Sequence, residues 1–203
     1  MNSTKIIIGI TGLYCSGKSF IEKIFIDNDF LSIDVDKIGH SVLEETKDDV
    51  IKEFGMSILN QAGNIDRKKL GAIVFSDKSK LRKLNSLVHP VMTVKIENHI
   101  SATNHRYILI NAALLYEMGL HKLCSKIIVV KAPLILIIYR AIKRDCYSIF
   151  KIFKILFNQN VKSFAKKNQK YVETIYIENL TADSTNRRVK QIINGIITKE
   201  IYR

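Results

Sequence analysis

Proline, glycine, cysteine and tryptophan are all scarce in this sequence of 203 residues. Two prolines, nine glycines and no tryptophan exclude a collagenous or low-complexity chain. The three cysteines (Cys15, Cys124 and Cys146) are odd in number and have no C-x-x-C spacing. Neither a disulfide framework nor a zinc site is therefore indicated, and this cysteine usage is typical of a reducing cytoplasm.

Long hydrophobic runs are also missing. The longest unbroken apolar run, Ala132–Tyr139, has eight residues, whereas a membrane-spanning helix needs about 20. The apolar run near the N-terminus, Ile6–Ile10, is too short for a secretory signal. Apolar residues nevertheless make up 47% of the chain, enough for the core of one domain. We expect a cytoplasmic protein with no membrane association.

Acidic residues are few: 19 against 32 basic residues, which gives a net charge of +13. Such a charge is typical of nucleic-acid binders and of proteins that handle polyphosphates. Of the basic residues, 24 are lysine in a chain rich in Ile and Asn, which favours a compositional bias over a binding surface. Residues 140–170 are the local exception, with nine basic residues and one acid.

Apolar, β-branched runs alternate with helical patterns along the chain, which predicts an α/β fold with a parallel sheet flanked by helices. Two stretches are too long for plain crossovers: a mostly helical one, 37–105, interrupted at 61–64 and at His89-Pro90, and a basic one, 140–170. We expect one domain with its core at 5–36, 106–139 and 171–203. The predicted strands are Ile6–Thr11, Leu31–Val35, Tyr107–Ile110, Ile127–Lys131 and Thr174–Ile177, and a closing helix is predicted over Asn186–Ile201.

The most specific motif is a phosphate-binding loop. The segment Gly12–Ser19 reads G-x-x-x-x-G-K-S and lies between a predicted strand and a predicted helix, as this motif requires. Its backbone amides and the helix N-terminus bind phosphate, and Gly17 allows close approach. Lys18 would reach the β- and γ-phosphates and Ser19 would bind Mg²⁺. The motif predicts ATP and Mg²⁺ as ligands and favours a small-molecule kinase.

Carboxylates follow the second predicted strand. Asp34 and Asp36 would share one face of an extended segment, at the strand end where ligands of such sheets bind. One could accept a proton from a substrate hydroxyl. The third strand, which in phosphate-loop kinases commonly ends with a metal-binding aspartate, ends instead with Asn111. Glu117, six residues further on, could contribute the missing charge.

Seven short segments follow one another in an order that is specific as a set. They are Gly9–Ser19, Ile33–His40 (I-D-V-D-K-I-G-H), Ile65–Leu70 with Val74-Phe75, Leu84–Pro90 (L-N-S-L-V-H-P), Asn111–Glu117 (N-A-A-L-L-Y-E), Arg140–Asp145 (R-A-I-K-R-D) followed by Gln159, and Ile177–Asn179. In this order they resemble the dephospho-CoA kinases, over nearly the whole chain. Departures from the family pattern are Leu13 and Cys15 in place of loop glycines, Asn111 in place of aspartate and Ala113 in place of proline.

The resemblance implies a phosphate-loop kinase core, a helical substrate-binding region (37–105) and a mobile lid (140–170). It implies transfer of the ATP γ-phosphoryl group to the 3′-hydroxyl of dephospho-CoA, giving CoA and ADP. By position in the motifs, Asp36 would be the general base, assisted by Asp34, and Lys18, Arg140 and Arg144 would contact the phosphates. The resemblance further assigns ATP binding to Gly12, Cys15, Ser16, Gly17, Lys18, Ser19, Phe20 and Asn179, metal binding to Ser19, and substrate binding to Asp36, His40, His89 and Glu117.

Three alternatives remain open from the sequence. Another small-molecule kinase, such as a nucleoside monophosphate kinase, would have the same core. The net charge of +13 motivates a nucleic-acid-binding phosphate-loop protein, although we expect no specific nucleic acid. The asparagine at 111 motivates a homologue that binds ATP without catalysis. We expect a monomer or a small homo-oligomer.

Overall fold

The computed structural model describes residues 5–157, 159, 165 and 172–201. The chain divides into two compact units. The sheet unit contains the residues up to Ile33 and those from Asn104 onward, and the helical unit is Asp34–Thr103. Part of the predicted lid, 158, 160–164 and 166–170, lies outside the described residues. Among those that are described, no helix has the length and apolarity needed to cross a membrane.

Five strands form one sheet: β1 Ile6–Gly12, β2 Leu31–Asp34, β3 Tyr107–Asn111, β4 Lys126–Lys131 and β5 Glu173–Glu178. Their order in the sheet is β2-β3-β1-β4-β5. The central strand β1 pairs in parallel with β3 and with β4, and β4 pairs in parallel with β5. The parallel α/β architecture predicted from the sequence is therefore confirmed.

Helices are present in both units. Those of the sheet unit are α1 Lys18–Ile26, a 3₁₀ turn Leu120–Leu123, α6 Leu134–Asp145, α7 Ile149–Phe157 and α8 Ala182–Ile201. Those of the helical unit are α2 Val35–Glu45, α3 Lys47–Phe54, a 3₁₀ turn Met56–Ile58, α4 Arg67–Val74 and α5 Lys78–Ala102.

The core of the sheet unit fixes the end of β1 and the start of α1. Ile8 and Ile10 of β1 are fully buried, as expected for a strand that has neighbours on both sides and is covered on its faces. They belong to one hydrophobic cluster with Phe25 of α1 and Ile193 of α8. The segment joining β1 to α1 is thus anchored at both ends, which is what a phosphate-binding loop needs for preorganisation.

Aspartates begin three helices of the helical unit. Asp34 and Asp66 each accept two backbone N–H groups from the first turns of α2 and α4, and Asp77 accepts one from the first turn of α5. Such N-caps contribute about 1 kcal/mol each. A separate hydrophobic cluster, which includes Val50 and Leu70, gives this unit a core of its own.

The helix break predicted at His89-Pro90 is wrong, because α5 continues from Lys78 to Ala102 with Pro90 inside it. Buried residues recur every four positions across the proline, at Val88, Met92, Ile96 and Ile100. This apolar stripe outweighs the cost of the missing proline N–H, about 3 kcal/mol. Pro90 itself is exposed.

Candidate active site

The segment between β1 and α1 has the backbone geometry of a phosphate-binding loop. It closes with Gly17, which caps α1 with a φ of 98°. A Cβ on Gly12 would stand 2.5 Å from the carbonyl oxygen of Val130, so only glycine fits there. Cys15 also has a positive φ, 55°, a conformation that costs a non-glycine residue about 1 kcal/mol. Cys15 therefore adopts the backbone conformation of the loop at a position where the family pattern has glycine.

The Lys18 ammonium lies against the loop that it follows. Its Nζ donates to the carbonyl oxygens of Gly12 at 3.1 Å and Leu13 at 3.3 Å. The Ser16 hydroxyl is buried and has no hydrogen-bond partner within the described part of the chain. A buried polar group without a partner costs about 1–3 kcal/mol. An anion in the loop would offer acceptors to both groups.

Arg140 and Asn179 hold the back of the loop. The Nδ2 of Asn179 donates to the Ser16 carbonyl at 3.0 Å, and Arg140 donates to the same carbonyl at 3.3 Å and to the Asn179 carbonyl at 3.2 Å. A Cβ on Gly17 would lie 1.8 Å from the Asn179 amide nitrogen. We call Gly12, Ser16, Gly17, Lys18, Arg140 and Asn179 the loop floor.

A second group of side chains surrounds Tyr14 at the outer side of the loop. The Tyr14 hydroxyl donates to the Asp145 carboxylate, and the Tyr14 backbone N–H donates to Gln159 Oε1 at 2.8 Å. Arg144 donates to Asp145 at 2.9–3.1 Å, and its guanidinium lies 5.0 Å from the centre of the Tyr14 ring. We call Tyr14, Arg144, Asp145 and Gln159 the loop rim.

Hydrogen bonds and burial shift several pKa values at the rim. Donation from Arg144 and then from Tyr14 lowers the pKa of Asp145. Burial, followed by the bond to Asp145, raises the pKa of the Tyr14 phenol. Burial also raises the pKa of the Cys15 thiol, against the opposing effect of Arg144. At neutral pH the rim therefore holds a charged Arg144–Asp145 pair beside a neutral phenol.

A further polar contact occurs where β3 ends. The Asn111 Nδ2 donates to Glu22 Oε2 at 2.7 Å, and the Ser32 hydroxyl donates to Glu22 Oε1 at 2.6 Å. Glu22 lies on α1, three residues after Ser19, so the two side chains are neighbours on the helix surface.

The two aspartates after β2 have different environments. Asp34 accepts the backbone N–H groups of Asp36 and Lys37 at 3.1 and 3.2 Å and forms an ion pair with Lys37 at 3.7 Å. Asp36 lies in the first turn of α2 and is exposed. The expectation that both carboxylates share one face of an extended segment is wrong, because Asp34 ends the strand and Asp36 is already helical.

The remaining predicted substrate residues lie apart along the chain. His40 is exposed on α2, one helical turn after Asp36, and His89 is partly buried in α5. Burial lowers the pKa of His89, so it is neutral near pH 7. Glu117 follows β3 in the sheet unit, and desolvation of its carboxyl group raises its pKa.

The sequence matches the family model for dephospho-CoA kinases over residues 6–183. The chain belongs to the dephospho-CoA kinase family. A dephospho-CoA kinase of Borreliella burgdorferi is 38% identical over the whole of both chains, and one of Fusobacterium nucleatum is 36% identical over 85% of this chain and 89% of its own length.

Solved structures agree with this assignment. A protein of Thermus thermophilus, 23% identical, has the same fold, with a TM-score of 0.82 over 95% of this chain and 97% of its own. A dephospho-CoA kinase of Campylobacter jejuni is 25% identical, with a TM-score of 0.62 over 95% and 97% of the two chains. The chain is thus a phosphate-loop kinase that transfers phosphate from ATP to an alcohol group, as the resemblance in its sequence implied.

Within this dephospho-CoA kinase, the site residues predicted from the sequence fall into two sets. The sheet unit contains those assigned to ATP, including Ser19 and Phe20, which are both exposed near the start of α1, together with Arg140, Arg144 and Glu117. The helical unit contains Asp34, Asp36, His40 and His89. Sequence reasoning gave no role to Tyr14 or Glu22, and it named Asp145 and Gln159 only as parts of a motif. An acid one helical turn after Ser19 is the signal in the sequence by which Glu22 could have been found.

Proposed function

We propose that the chain transfers the γ-phosphoryl group of ATP to the 3′-hydroxyl of dephospho-CoA, giving CoA and ADP, with the residues of the loop floor binding the triphosphate. One observation carries the proposal: the phosphate loop is complete, with the Lys18 ammonium held by the carbonyls of Gly12 and Leu13. When ATP binds, its β- and γ-phosphate oxygens replace these carbonyls as acceptors. The lysine then offsets negative charge on the transferring group.

Asp36 is the general base of this proposal. It accepts the proton of the 3′-hydroxyl as the oxygen attacks the γ-phosphorus and the bond to the β-phosphate oxygen breaks. The Asp34 carboxylate accepts two backbone N–H groups and faces Lys37. By capping α2, Asp34 instead fixes the turn on which Asp36 lies. Asp34 is thus a positioning residue.

Arg140 and Arg144 supply positive charge to the phosphates. They are four residues apart on α6 and therefore on one face of that helix. Arg140 already contacts the loop through the Ser16 carbonyl, and Arg144 lies over the ring of Tyr14. A guanidinium binds phosphoryl oxygens with two parallel hydrogen bonds, so both side chains are suited to bind the phosphates of the nucleotide.

Magnesium fits the donors available in this loop. Mg²⁺ prefers oxygen ligands and is usually held by substrate phosphates with one or two protein groups. Ser19 offers an exposed hydroxyl at the second position of α1. Within the described ranges no group of three or more His, Cys, Asp or Glu could hold a metal by itself. When bound with ATP, the ion offsets charge on the β- and γ-phosphates.

Several residues complete the proposal with narrower roles. Phe20 and Asn179 join the ATP site, with Cys15 in its loop, and His40, His89 and Glu117 bind dephospho-CoA. His89 serves as a neutral hydrogen-bonding group, because burial lowers its pKa. We place the reaction in the cytoplasm, in keeping with the free thiols of Cys15, Cys124 and Cys146. A monomer or small homo-oligomer stays a prediction that light scattering on the purified protein would test.

The decisive experiment measures ADP release from MgATP with and without dephospho-CoA. We expect release that depends on the acceptor, and a fall in kcat of about 10²- to 10⁴-fold in Asp36→Asn, the range that general bases contribute. The matched control is Asp49→Asn, which removes an acid from the first turn of α3 and should leave kcat unchanged. An Asp36→Asn variant as fast as the wild type would contradict the assignment of the base.

The same assay separates the alternative functions. Nucleoside monophosphates in place of dephospho-CoA test for a different acceptor, and absence of turnover with every acceptor would support an ATP-binding homologue without catalysis. The net charge of +13 motivates a nucleic-acid test, in which specific binding would survive physiological salt. Weak binding that disappears as salt rises would reflect non-specific charge alone.

A further inference from the structure

The end of β3 lacks a charge that this type of site usually has. Phosphate-loop kinases and related NTPases commonly place an aspartate there to hold the magnesium ion, and this chain has Asn111. The register pairs Asn111 with Ile10 on β1, two residues before the phosphate loop begins at Gly12. An uncharged amide therefore stands beside the loop, at the carboxyl end of the sheet.

A carboxylate from another element reaches this position. Glu22 projects from α1 and accepts the Asn111 Nδ2 at 2.7 Å, while its other oxygen accepts the Ser32 hydroxyl at 2.6 Å. Three elements, α1, β2 and β3, thus contribute to one polar cluster. Because both Glu22 oxygens are engaged, the carboxylate has a single defined position.

The contact also settles the orientation of the Asn111 amide. An asparagine can face a carboxylate only with its NH₂ group, since a carboxylate accepts and does not donate. The Asn111 carbonyl oxygen is consequently directed away from Glu22. Carbonyl and carboxylate oxygens are the ligand types that Mg²⁺ prefers, and Ser19 lies one helical turn before Glu22 on the same face of α1.

We propose that Glu22 and Asn111 together replace the usual aspartate at the metal site. In this proposal, which rests on the proposed kinase function, Glu22 supplies the negative charge and holds the Asn111 carbonyl oxygen towards the water shell of the Mg²⁺ that accompanies ATP beside Ser19. Glu22 acts as a positioning residue of the metal site and does not touch the reacting groups. With Glu22 beside it, Asn111 then weakens Mg²⁺ binding less than an Asp→Asn change without such a neighbour would.

The test is a charge exchange between the two positions. Glu22→Gln keeps the shape and one acceptor but removes the charge, whereas Glu22→Gln combined with Asn111→Asp returns the charge to the end of β3. Binding of Mn²⁺, followed by electron paramagnetic resonance in the presence of a non-hydrolysable ATP analogue, reports the metal site directly. Outer contacts of this kind typically change metal affinity about 10- to 100-fold. We expect a loss in that range for Glu22→Gln and recovery to within about threefold in the double variant.

Affinity for the ATP analogue in EDTA serves as the internal reference. It reports the phosphate loop without metal, and a purely structural role of Glu22 would weaken it as much as the Mn²⁺-dependent affinity. The control variant is Asp27→Asn, which removes one acid at the end of the same helix and should change neither quantity. Unchanged Mn²⁺ affinity in Glu22→Gln, or a loss that the double variant does not recover, would overturn the proposal.

None of these measurements uses the acceptor. A failure of the proposed function would appear as absence of ADP release that depends on dephospho-CoA in the wild type, whatever the Mn²⁺ results. If Glu22→Gln proves unstable, Ser32→Ala provides a second test, because it removes a hydrogen bond of Glu22 and keeps the charge. It should lower Mn²⁺ affinity by less than about threefold, since charge dominates the attraction of the site for a divalent ion. A tenfold loss in Ser32→Ala would argue for a structural role and against the proposal.

Discussion

The floor and the rim of the phosphate loop are built in different ways. At the floor, side chains contact backbone: Asn179 and Arg140 donate to the Ser16 carbonyl, and Lys18 donates to loop carbonyls. At the rim, the contacts among Tyr14, Arg144 and Asp145 are between side chains. The floor contacts thus hold the backbone of the loop itself, whereas these rim contacts hold only side chains. A substitution should therefore have larger consequences at the floor.

The largest effect should come from Gly17→Ala. A Cβ there would lie 1.8 Å from the Asn179 Nδ2, so Asn179 must leave the Ser16 carbonyl, and the φ of 98° adds strain. We expect MgATP affinity to fall by about 100-fold or more, the magnitude seen when preorganised groups of an active site are displaced. Isothermal titration calorimetry with MgATP would measure it.

Gly119→Ala is the matched control for this substitution. Gly119 also has a positive φ, 75°, but nothing lies within 4 Å of the position that a Cβ would take. The variant should lose about 1 kcal/mol of unfolding free energy through backbone strain and bind MgATP as the wild type does. Equal MgATP affinities in the two variants would mean that the clash of a Cβ at position 17 with Asn179 does not affect ATP binding by the loop.

The second-largest effect should be a difference in unfolding free energy between variants of the two arginines of α6. Arg140→Ala removes two hydrogen bonds to backbone carbonyls and should lower the unfolding free energy by about 1–2 kcal/mol. Arg144→Ala removes a half-exposed ion pair with Asp145, worth about 1 kcal/mol or less. Urea denaturation without nucleotide would compare them. A larger loss in Arg144→Ala than in Arg140→Ala would reverse the ranking of floor and rim.

The same division explains how much could be predicted from the sequence. The loop Gly12–Ser19 is contiguous, and its strand and helix have their own local patterns, so fold and loop were both predictable. The rim joins Tyr14 to Asp145 and Gln159, which lie 131 and 145 positions further along the chain. Glu22 and Asn111 are 89 positions apart. No local pattern encodes which side chains will meet over such distances.

Two errors made from the sequence have local causes. The break at His89-Pro90 was predicted because His-Pro commonly ends a helix, but the buried stripe from Val88 to Ile100 extends over several turns and outweighs this local preference. Asp34 and Asp36 were placed in one extended segment, although an aspartate before a helix is also an N-cap. The capping bonds of Asp34 leave the two carboxylates with different roles.

The smallest effect concerns pH and the charge at the rim. Hydrogen bonds from Arg144 and Tyr14 lower the pKa of Asp145, so its contribution to folding is complete above the ordinary pKa of about 3.9 and is lost as pH falls through the lowered value. Asp145→Asn should therefore cost up to about 1 kcal/mol of unfolding free energy at pH 7. The difference from the wild type should shrink below about pH 4.

Urea denaturation at several pH values, with Asp183→Asn in the first turn of α8 as the control for a lost acid, would measure this dependence. A difference that stays constant down to pH 3 would mean that Asp145 acts as a hydrogen-bond acceptor and not through its charge, because an amide has only one oxygen with which to accept from Tyr14 and Arg144. A difference that disappears with protonation would assign the stability of the rim to charge. Rim contacts would then weaken with added salt, since salt screens exposed ion pairs, whereas the backbone contacts of the floor would not.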